Sequence, residues 1–118
     1  MAYVYSFEKL EVWQLSRKLI VEIYRITRKY PEEEKFGLVN QTRRASVSVA
    51  SNLAEGTSRN SKKDKAHFSQ LSYSSLMEVL SQIIISNDLD FISLESLNDI
   101  RLQIDEIANK LNALVIIN

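Results

Sequence analysis

This 118-residue chain contains one histidine, His67, which is a candidate for catalysis or metal binding. It follows Asp64 by one helical turn, so a carboxylate and an imidazole would lie on the same helix face. Carboxylate metal centres in helical bundles need a second such pair, which the sequence lacks. It also contains no Walker loop and no dinucleotide-binding fingerprint. We therefore expect no catalytic residue, no metal ion and no cofactor.

Basic residues form two groups whose chemistry would be phosphate binding. One group flanks the break between the first two predicted helices: Arg25, Arg28, Lys29, Lys35, Arg43 and Arg44. The other precedes the third predicted helix: Arg59, Lys62, Lys63 and Lys65. Free backbone N–H groups at a helix start can hold a phosphate beside such cations. The alternative is a structural role for both groups. The first group would then interact with the C-terminal dipole of the first helix and with the acidic residues 32–34, and the second would be an ordinary solvated turn.

Charge is distributed unevenly along a chain whose formal net charge is zero. Residues 1–70 carry 13 Lys and Arg against eight Asp and Glu, whereas residues 71–118 carry two against seven. A neutral protein is not steered to nucleic acid by its overall field, but a one-sided distribution can present a basic surface. The alternative is that the two halves neutralise each other across the folded domain.

The amino-acid composition indicates which class of protein this chain belongs to. Hydrophobic residues make up 45% of the chain and charged residues 25%, which is typical of a globular domain. The apolar runs are too short to span a bilayer, and the chain begins without a signal-peptide pattern. Cysteine is absent, which fits a reducing compartment. We expect one cytoplasmic domain over residues 1–118 that has no membrane partner.

Helices are the elements that must position these residues. The two glycines and the one proline all lie between segments with helical apolar periodicity. We predict helices over residues 7–29, 38–55 and 62–89, and a fourth that begins after Ser93 or Ser96. Pro31 would end the first helix, Gly56 would cap the second in the left-handed region, and Ser61 with Asp64 would form a capping box for the third.

The fourth predicted helix carries a regular apolar seam at alternating spacings of three and four: Leu97, Ile100, Ile104, Ile107, Leu111 and Leu114. Helices joined by short turns pack as antiparallel neighbours. The fold class that we predict is all-α, an antiparallel up-down-up-down four-helix bundle, with no segment that alternates like a half-buried strand.

A second apolar stripe on the first predicted helix comprises Trp13, Ile20 and Tyr24. It lies about a quarter-turn from the main core stripe, since successive residues rotate by about 100°. We predict that this stripe contributes to an interface between subunits. The alternative is that a thick bundle core uses it entirely.

Asn52 and Glu55 are candidates for a structural polar role near the end of the second helix. A buried Asn must find hydrogen-bond partners, so Asn52 would fix the register between neighbouring helices. We expect Glu55 and Arg59 to join it there.

Residues spread over 7–59 resemble the signature of the four-helix-bundle family called 23S rRNA intervening-sequence proteins. They are Trp13 and Gln14 in LEVWQ, Tyr24 in EIYRIT, and then Gln41, Arg43, Arg44, Ser48, Asn52, Ala54, Glu55, Gly56 and Arg59. That family is similar to the accessory variability proteins of diversity-generating retroelements, which form pentameric barrels and engage nucleic acid and a reverse transcriptase. The resemblance therefore implies a homo-oligomer, a pentamer, and contact with nucleic acid.

Two functional hypotheses follow. The first is a non-enzymatic homo-oligomer of undefined cellular role that binds RNA or DNA through basic surfaces repeated in the oligomer. The second is a scaffold for a protein partner, without nucleic-acid binding. In that case the acidic fourth helix, with Asp99, Asp105 and Glu106, would be the working face.

Overall fold

Four α-helices build the protein in the computed structural model, which describes the backbone of residues 2–117 and the side chains of residues 2–114. They are α1 (Glu11–Thr27), α2 (Asn40–Thr57), α3 (Lys62–Asp88) and α4 (Leu94–Ile117). Residues 2–117 contain no β-strand. The predicted all-α four-helix bundle is confirmed.

The beginning of α1 differs from the prediction of one continuous helix from residue 7. A short 3-10 helix, Ser6–Lys9, comes first, and the Glu8 carboxylate accepts a hydrogen bond from the Tyr5 amide at 2.7 Å. Leu10 then adopts an extended conformation, with φ −74° and ψ 118°. Its apolar side chain continues the helical pattern of the sequence, so periodicity alone did not reveal the break.

The connection from α1 to α2 is itself helical in short pieces. The helix ends at Thr27, slightly before the predicted end, and Pro31 precedes a 3-10 turn at Glu32–Glu34, as expected from the acidic run. A π-helical turn at Lys35–Val39 follows, and its Gly37 has non-helical angles of φ −102° and ψ −113°. This compact connection turns the chain so that α2 packs against α1.

The core lies along the bundle axis, where each helix contributes one buried stripe. On α4 the predicted seam is buried from Leu97 to Leu111, while Leu114 is half-buried. The fully covered side chains nearest the centre are Leu19, Ile23, Val49, Leu76, Val79, Ile83, Ile100, Ile104, Ile107 and Leu111. Burial of this much aliphatic surface is the main stabilising contribution to the fold.

Small residues let α2 and α3 approach closely. The Ser72 hydroxyl donates a hydrogen bond to the Val49 carbonyl at 2.7 Å, and it is fully buried. The expectation that Gly56 caps α2 is wrong, because α2 runs on to Thr57 and Gly56 does not have positive φ. A Cβ atom at Gly56 would lie 3.1 Å from the Phe68 Cβ. Glycine is needed there for helix packing.

Serine residues start the last two helices. The Ser61 hydroxyl accepts a hydrogen bond from the Asp64 amide at 3.1 Å, and the Ser93 hydroxyl accepts one from the Ser96 amide at 3.1 Å. Of the two predicted caps for α4, Ser93 is the one used.

The two ends of the bundle can be named by their aromatic contacts. At the Phe91 end, the α1–α2 and α3–α4 connections meet, and the Tyr30 and Phe91 rings lie 5.3 Å apart. At the Phe68 end, the α2–α3 turn meets the start of α1 and the end of α4.

Candidate nucleic-acid interface

The cations at the Phe68 end form a compact group, the basic turn, made of Arg59, Lys62, Lys63 and Lys65. Lys65 is half-buried and the other three are exposed. Two ion pairs are present among the described residues, and neither involves this group. Asp64 is the one acidic residue within residues 59–65. The basic turn is therefore a concentration of positive charge that no ion pair neutralises among the described residues.

Arg59 is held in place by an aromatic ring. Its guanidinium carbon lies 4.6 Å from the centre of the Phe68 ring, which is a cation–π distance. Phe68 is in turn fixed against Gly56 by the close approach of α2 and α3. A guanidinium that stacks by its face keeps its N–H edge available for a phosphate or carboxylate.

Two members of the predicted basic group at the Phe91 end, Arg25 and Arg43, make contacts within the protein. Arg25 forms a bidentate ion pair with Glu22 on the same helix, with Nε 3.0 Å from Oε2. This hydrogen-bonded pairing lowers the pKa of Glu22, although burial opposes the effect. The pKa of Arg25 is raised by the same partner, so the guanidinium stays charged.

Arg43 differs from the expectation of a free phosphate-binding cation. Its Nε donates to the Thr27 hydroxyl at 2.9 Å and its Nη2 to the Tyr24 carbonyl at 3.3 Å. Its guanidinium carbon also lies 4.5 Å from the centre of the Tyr24 ring. Arg43 thus joins α2 to the end of α1, where the last carbonyls of a helix lack partners within the helix.

Four other predicted cations at the Phe91 end stay exposed: Arg28, Lys29, Lys35 and Arg44. Arg28 and Lys35 line one groove together with the acidic Glu32. Arg44 lies in a groove between α2 and α3 that also contains Glu78. Two of the grooves at this end therefore hold side chains of both signs.

The apolar stripe predicted as an oligomer interface is half-buried within one subunit. Trp13 packs edge-to-face on Phe7, with 5.0 Å between ring centres, and Arg17 lies 5.4 Å from the Trp13 ring. Ile20 and Tyr24 are likewise half-buried. The neighbouring Val21, which sequence reasoning missed because arginine and lysine surround it, is 66% exposed.

Asn52 forms hydrogen bonds with Ser48 one turn earlier on α2, and Ser48 in turn contacts α3. Its side-chain nitrogen donates to the Ser48 carbonyl at 2.9 Å and to the Ser48 hydroxyl at 3.0 Å. The Ser48 hydroxyl pairs with the Ser75 hydroxyl on α3 at 2.9 Å. Glu55 is exposed, and its carboxylate contacts neither Asn52 nor Arg59 by a hydrogen bond or ion pair among the described side chains.

A cleft of about 300 Å³ opens beside the basic turn at the Phe68 end. Lys65 lines it and is its one charged residue in the described part of the chain. Asn52, Thr57 and Ser69 supply polar atoms, and leucine side chains supply the apolar wall. Sequence reasoning missed Ser69, because a serine on the buried face of a helix carries no signal that distinguishes a binding site from packing.

His67 is exposed and packs edge-to-face on Phe68, with 5.6 Å between ring centres. The described residues include no group of three His, Cys, Asp or Glu side chains placed to share a metal ion. None of the helices within the described range is both long enough and apolar enough to cross a membrane.

Comparisons with known proteins identify one family and one solved structure with a similar fold. The family model described as 23S rRNA-intervening sequence protein matches residues 8–113. A similar solved structure is the crystal structure of a protein of unknown function from the S23 ribosomal protein family, from Bacteroides thetaiotaomicron. It aligns with a TM-score of 0.79 and 20% identity over 88% of this chain and 97% of that one.

At this identity the likeness of the two structures establishes the fold alone. Curated proteins give no match. Because the family model covers most of the sequence, the chain belongs to the family of 23S rRNA-intervening sequence proteins.

Proposed function

We propose that this protein is a non-enzymatic, cytoplasmic homo-oligomer that binds RNA or DNA through its basic turn. The observation that carries the proposal is the absence of any ion pair on Arg59, Lys62, Lys63 and Lys65 within the described part of the chain. Cations with no protein counter-charge gain most from neutralising phosphates, because the strand then releases its condensed counterions.

The surroundings of the basic turn favour an anionic partner. It begins α3, a helix of 27 residues, whose N-terminal end carries a partial positive charge. Arg59 is already oriented by Phe68, so less side-chain freedom is lost when it contacts a phosphate. The lysines bring mobile point charges that follow a flexible backbone.

The Phe91 end is the weaker candidate for the same role. Arg25 and Arg43 would have to give up their contacts with Glu22 and Thr27 before they could bind a phosphate. Arg28 and Arg44 share their grooves with Glu32 and Glu78. Lys29 shares a groove with Arg25, and the described residues that line it include no acid.

Repetition in an oligomer strengthens the proposal. Each copy would present one basic turn, and a strand that reaches several turns binds more tightly than any single contact allows. The half-buried stripe of Trp13, Ile20 and Tyr24, extended by the exposed Val21, supports association between copies. We infer a ring of five copies from the similarity between the intervening-sequence family and accessory variability proteins.

The direct test is fluorescence anisotropy of labelled single-stranded RNA and DNA and of duplex DNA at 50 mM salt. We expect the wild-type protein to bind, and the affinity to fall steeply as salt rises. The variant Lys62→Gln/Lys63→Gln should bind single strands roughly fivefold to tenfold more weakly. Its plot of log affinity against log salt should be shallower by about 1.4, since each phosphate contact on a single strand contributes about 0.7 to the slope.

The matched control is Lys29→Gln/Lys35→Gln, which removes the same charge at the Phe91 end. We expect it to retain affinity within about twofold, because the proposed strand lies at the opposite end of the bundle. Equal losses in both variants would contradict the assignment to the basic turn. No binding of any nucleic acid by the wild-type protein at low salt would refute the function itself.

A protein-binding scaffold is the second candidate, and one observation favours it. Leu102 on α4 is 69% exposed and is flanked along the helix by Asp99, Asp105 and Glu106. An exposed leucine within an acidic face suits a basic amphipathic partner. Capture of one specific protein from nuclease-treated lysate, lost in Leu102→Glu and retained in Lys62→Gln/Lys63→Gln, would favour this function over nucleic-acid binding.

A further inference from the structure

We propose that the cleft beside the basic turn holds one unpaired nucleotide of the bound strand, with its phosphate on Lys65 and Ser69. The inference rests on the proposed function and assigns a specific site to it. Lys65 belongs both to the basic turn and to the lining of the cleft, so a strand that follows the turn passes the mouth of the cleft.

Ser69 places a free hydroxyl in the cleft. The residue as a whole is only 6% exposed and lines the cleft. Its hydroxyl has no hydrogen-bond partner in the described part of the chain, whereas Ser16, Ser72 and Ser86 on the buried faces of the bundle each donate to a carbonyl. The Ser69 hydroxyl is not one of the fully buried polar atoms, so it faces the open cleft, where a ligand can replace water as its partner.

The free hydrogen-bonding atoms of the cleft have a definite pattern. Lys65 and Ser69 offer donors, and the exposed Ser6 adds a hydroxyl that can donate or accept. Both hydrogens of the Asn52 amide go to Ser48, and the Thr57 hydroxyl donates to the Ala54 carbonyl at 2.7 Å. The side-chain oxygens of Asn52 and Thr57 can therefore only accept hydrogen bonds from a ligand.

This pattern selects among small anions. A phosphate satisfies the two donors, and the hydroxyl or amino groups of a ribose or base satisfy the acceptors. Leu10 and Leu53 provide an apolar wall for the face of the base. A fatty acid or an inorganic anion would leave the acceptors unmet. The volume, about 300 Å³, is at the lower limit of small-molecule sites and suits one nucleotide, and a base pair would not fit.

The test uses the full ¹⁵N-labelled chain, titrated with adenosine and uridine 5′-monophosphates and, separately, with adenosine and inorganic phosphate. We expect the monophosphates to shift the amide signals of Ser69, Asn52 and Thr57. Adenosine and phosphate alone should each bind at least about fivefold more weakly, because each meets only half of the pattern.

Substitutions separate the cleft from the rest of the basic turn. Lys65→Gln should weaken monophosphate binding by at least about tenfold, and Ser69→Ala by about threefold to tenfold, the range for one charged and one neutral hydrogen bond. Lys62→Gln should leave it within about twofold while weakening the binding of a longer strand. Circular dichroism and the thermal midpoint of each variant establish that the fold is retained.

The failure of this inference is distinguishable from failure of the proposed function. If long strands bind but monophosphates cause no shift at Ser69 or Asn52, the cleft site is refuted and the basic turn stands. The cleft site is also refuted if Lys65→Gln and Lys62→Gln weaken monophosphate binding equally. Monophosphate binding in the cleft without strand binding would support the site and overturn the wider function.

Discussion

The arginine side chains of this protein differ in what their guanidinium groups contact. Arg25 pairs with Glu22, Arg43 joins α2 to α1, and Arg59 stacks on Phe68. The sequence supports the same description for all three, a basic residue near a helix end. Core packing fixes the rotation of each helix about its axis. That rotation determines which guanidinium contacts the protein itself and which is free to contact a ligand.

Tyr30 provides a prediction at the scale of one residue. Burial raises the pKa of its phenol above the ordinary value of 10.0, and a contact with Ser86 opposes this to a lesser extent. The stability that comes from the neutral phenol is fully present below pH 10.0 and is lost as pH rises through the higher pKa of the folded state. Tyr30→Phe should remove this alkaline loss, which reaches about 1.4 kcal/mol per pH unit.

Urea unfolding at pH 8, 9.5 and 11 measures the effect. The wild-type protein should lose more free energy of unfolding between pH 9.5 and 11 than Tyr30→Phe does. Tyr3→Phe, at an exposed position of the N-terminal segment, is the control and should follow the wild type. Parallel curves for wild type and Tyr30→Phe would show that the phenol does not govern the alkaline limit.

At the scale of elements, the contact between α2 and α3 depends on Gly56. Gly56→Val should reduce the free energy of unfolding by about 1–3 kcal/mol, because the new side chain overpacks against Phe68. Part of the displacement should reach Arg59, which stacks on that ring. Ser51→Val introduces the same side chain on the exposed face of α2 and should cost less than about 0.5 kcal/mol.

Chemical denaturation of the two variants compares these values directly. A loss in Gly56→Val no larger than that in Ser51→Val would mean that Phe68 moves aside without cost. Strand binding by Gly56→Val, measured at a temperature where it is folded, would then show whether the stacked Arg59 contributes to the basic turn.

The sequence predicts the elements well where their cause is local or periodic. The apolar seam of α4, the Ser61 cap and the turn at residues 32–34 all follow from short-range rules. The break at Leu10 and the non-helical angles at Gly37 do not, because they interrupt the helical backbone without interrupting the apolar pattern. Gly56 was misassigned for the same reason, since its role is set by Phe68, on another helix.

At the scale of the whole molecule, folding converts the charge split along the sequence into a difference between surfaces. At the Phe91 end, Arg25 pairs with Glu22, and the connection that carries the acidic residues 32–34 lies beside the basic group. The basic turn at the Phe68 end forms no ion pair among the described residues. The cleft could not be predicted, because it is formed by residues from α2, α3 and the segment before α1.

The proposed self-association depends on the exposed part of the apolar stripe on α1. Val21→Glu places a carboxylate on the exposed part of the α1 stripe, so burial between copies would become unfavourable. We expect light scattering with size exclusion to show a multiple of 13.6 kDa for the wild type and the single-chain mass for this variant. Leu102→Glu, an equally exposed apolar-to-acidic change on α4, should stay oligomeric. If Leu102→Glu dissociates while Val21→Glu stays oligomeric, the interface lies on α4. If the wild-type protein is a monomer, no basic surface is repeated in an oligomer.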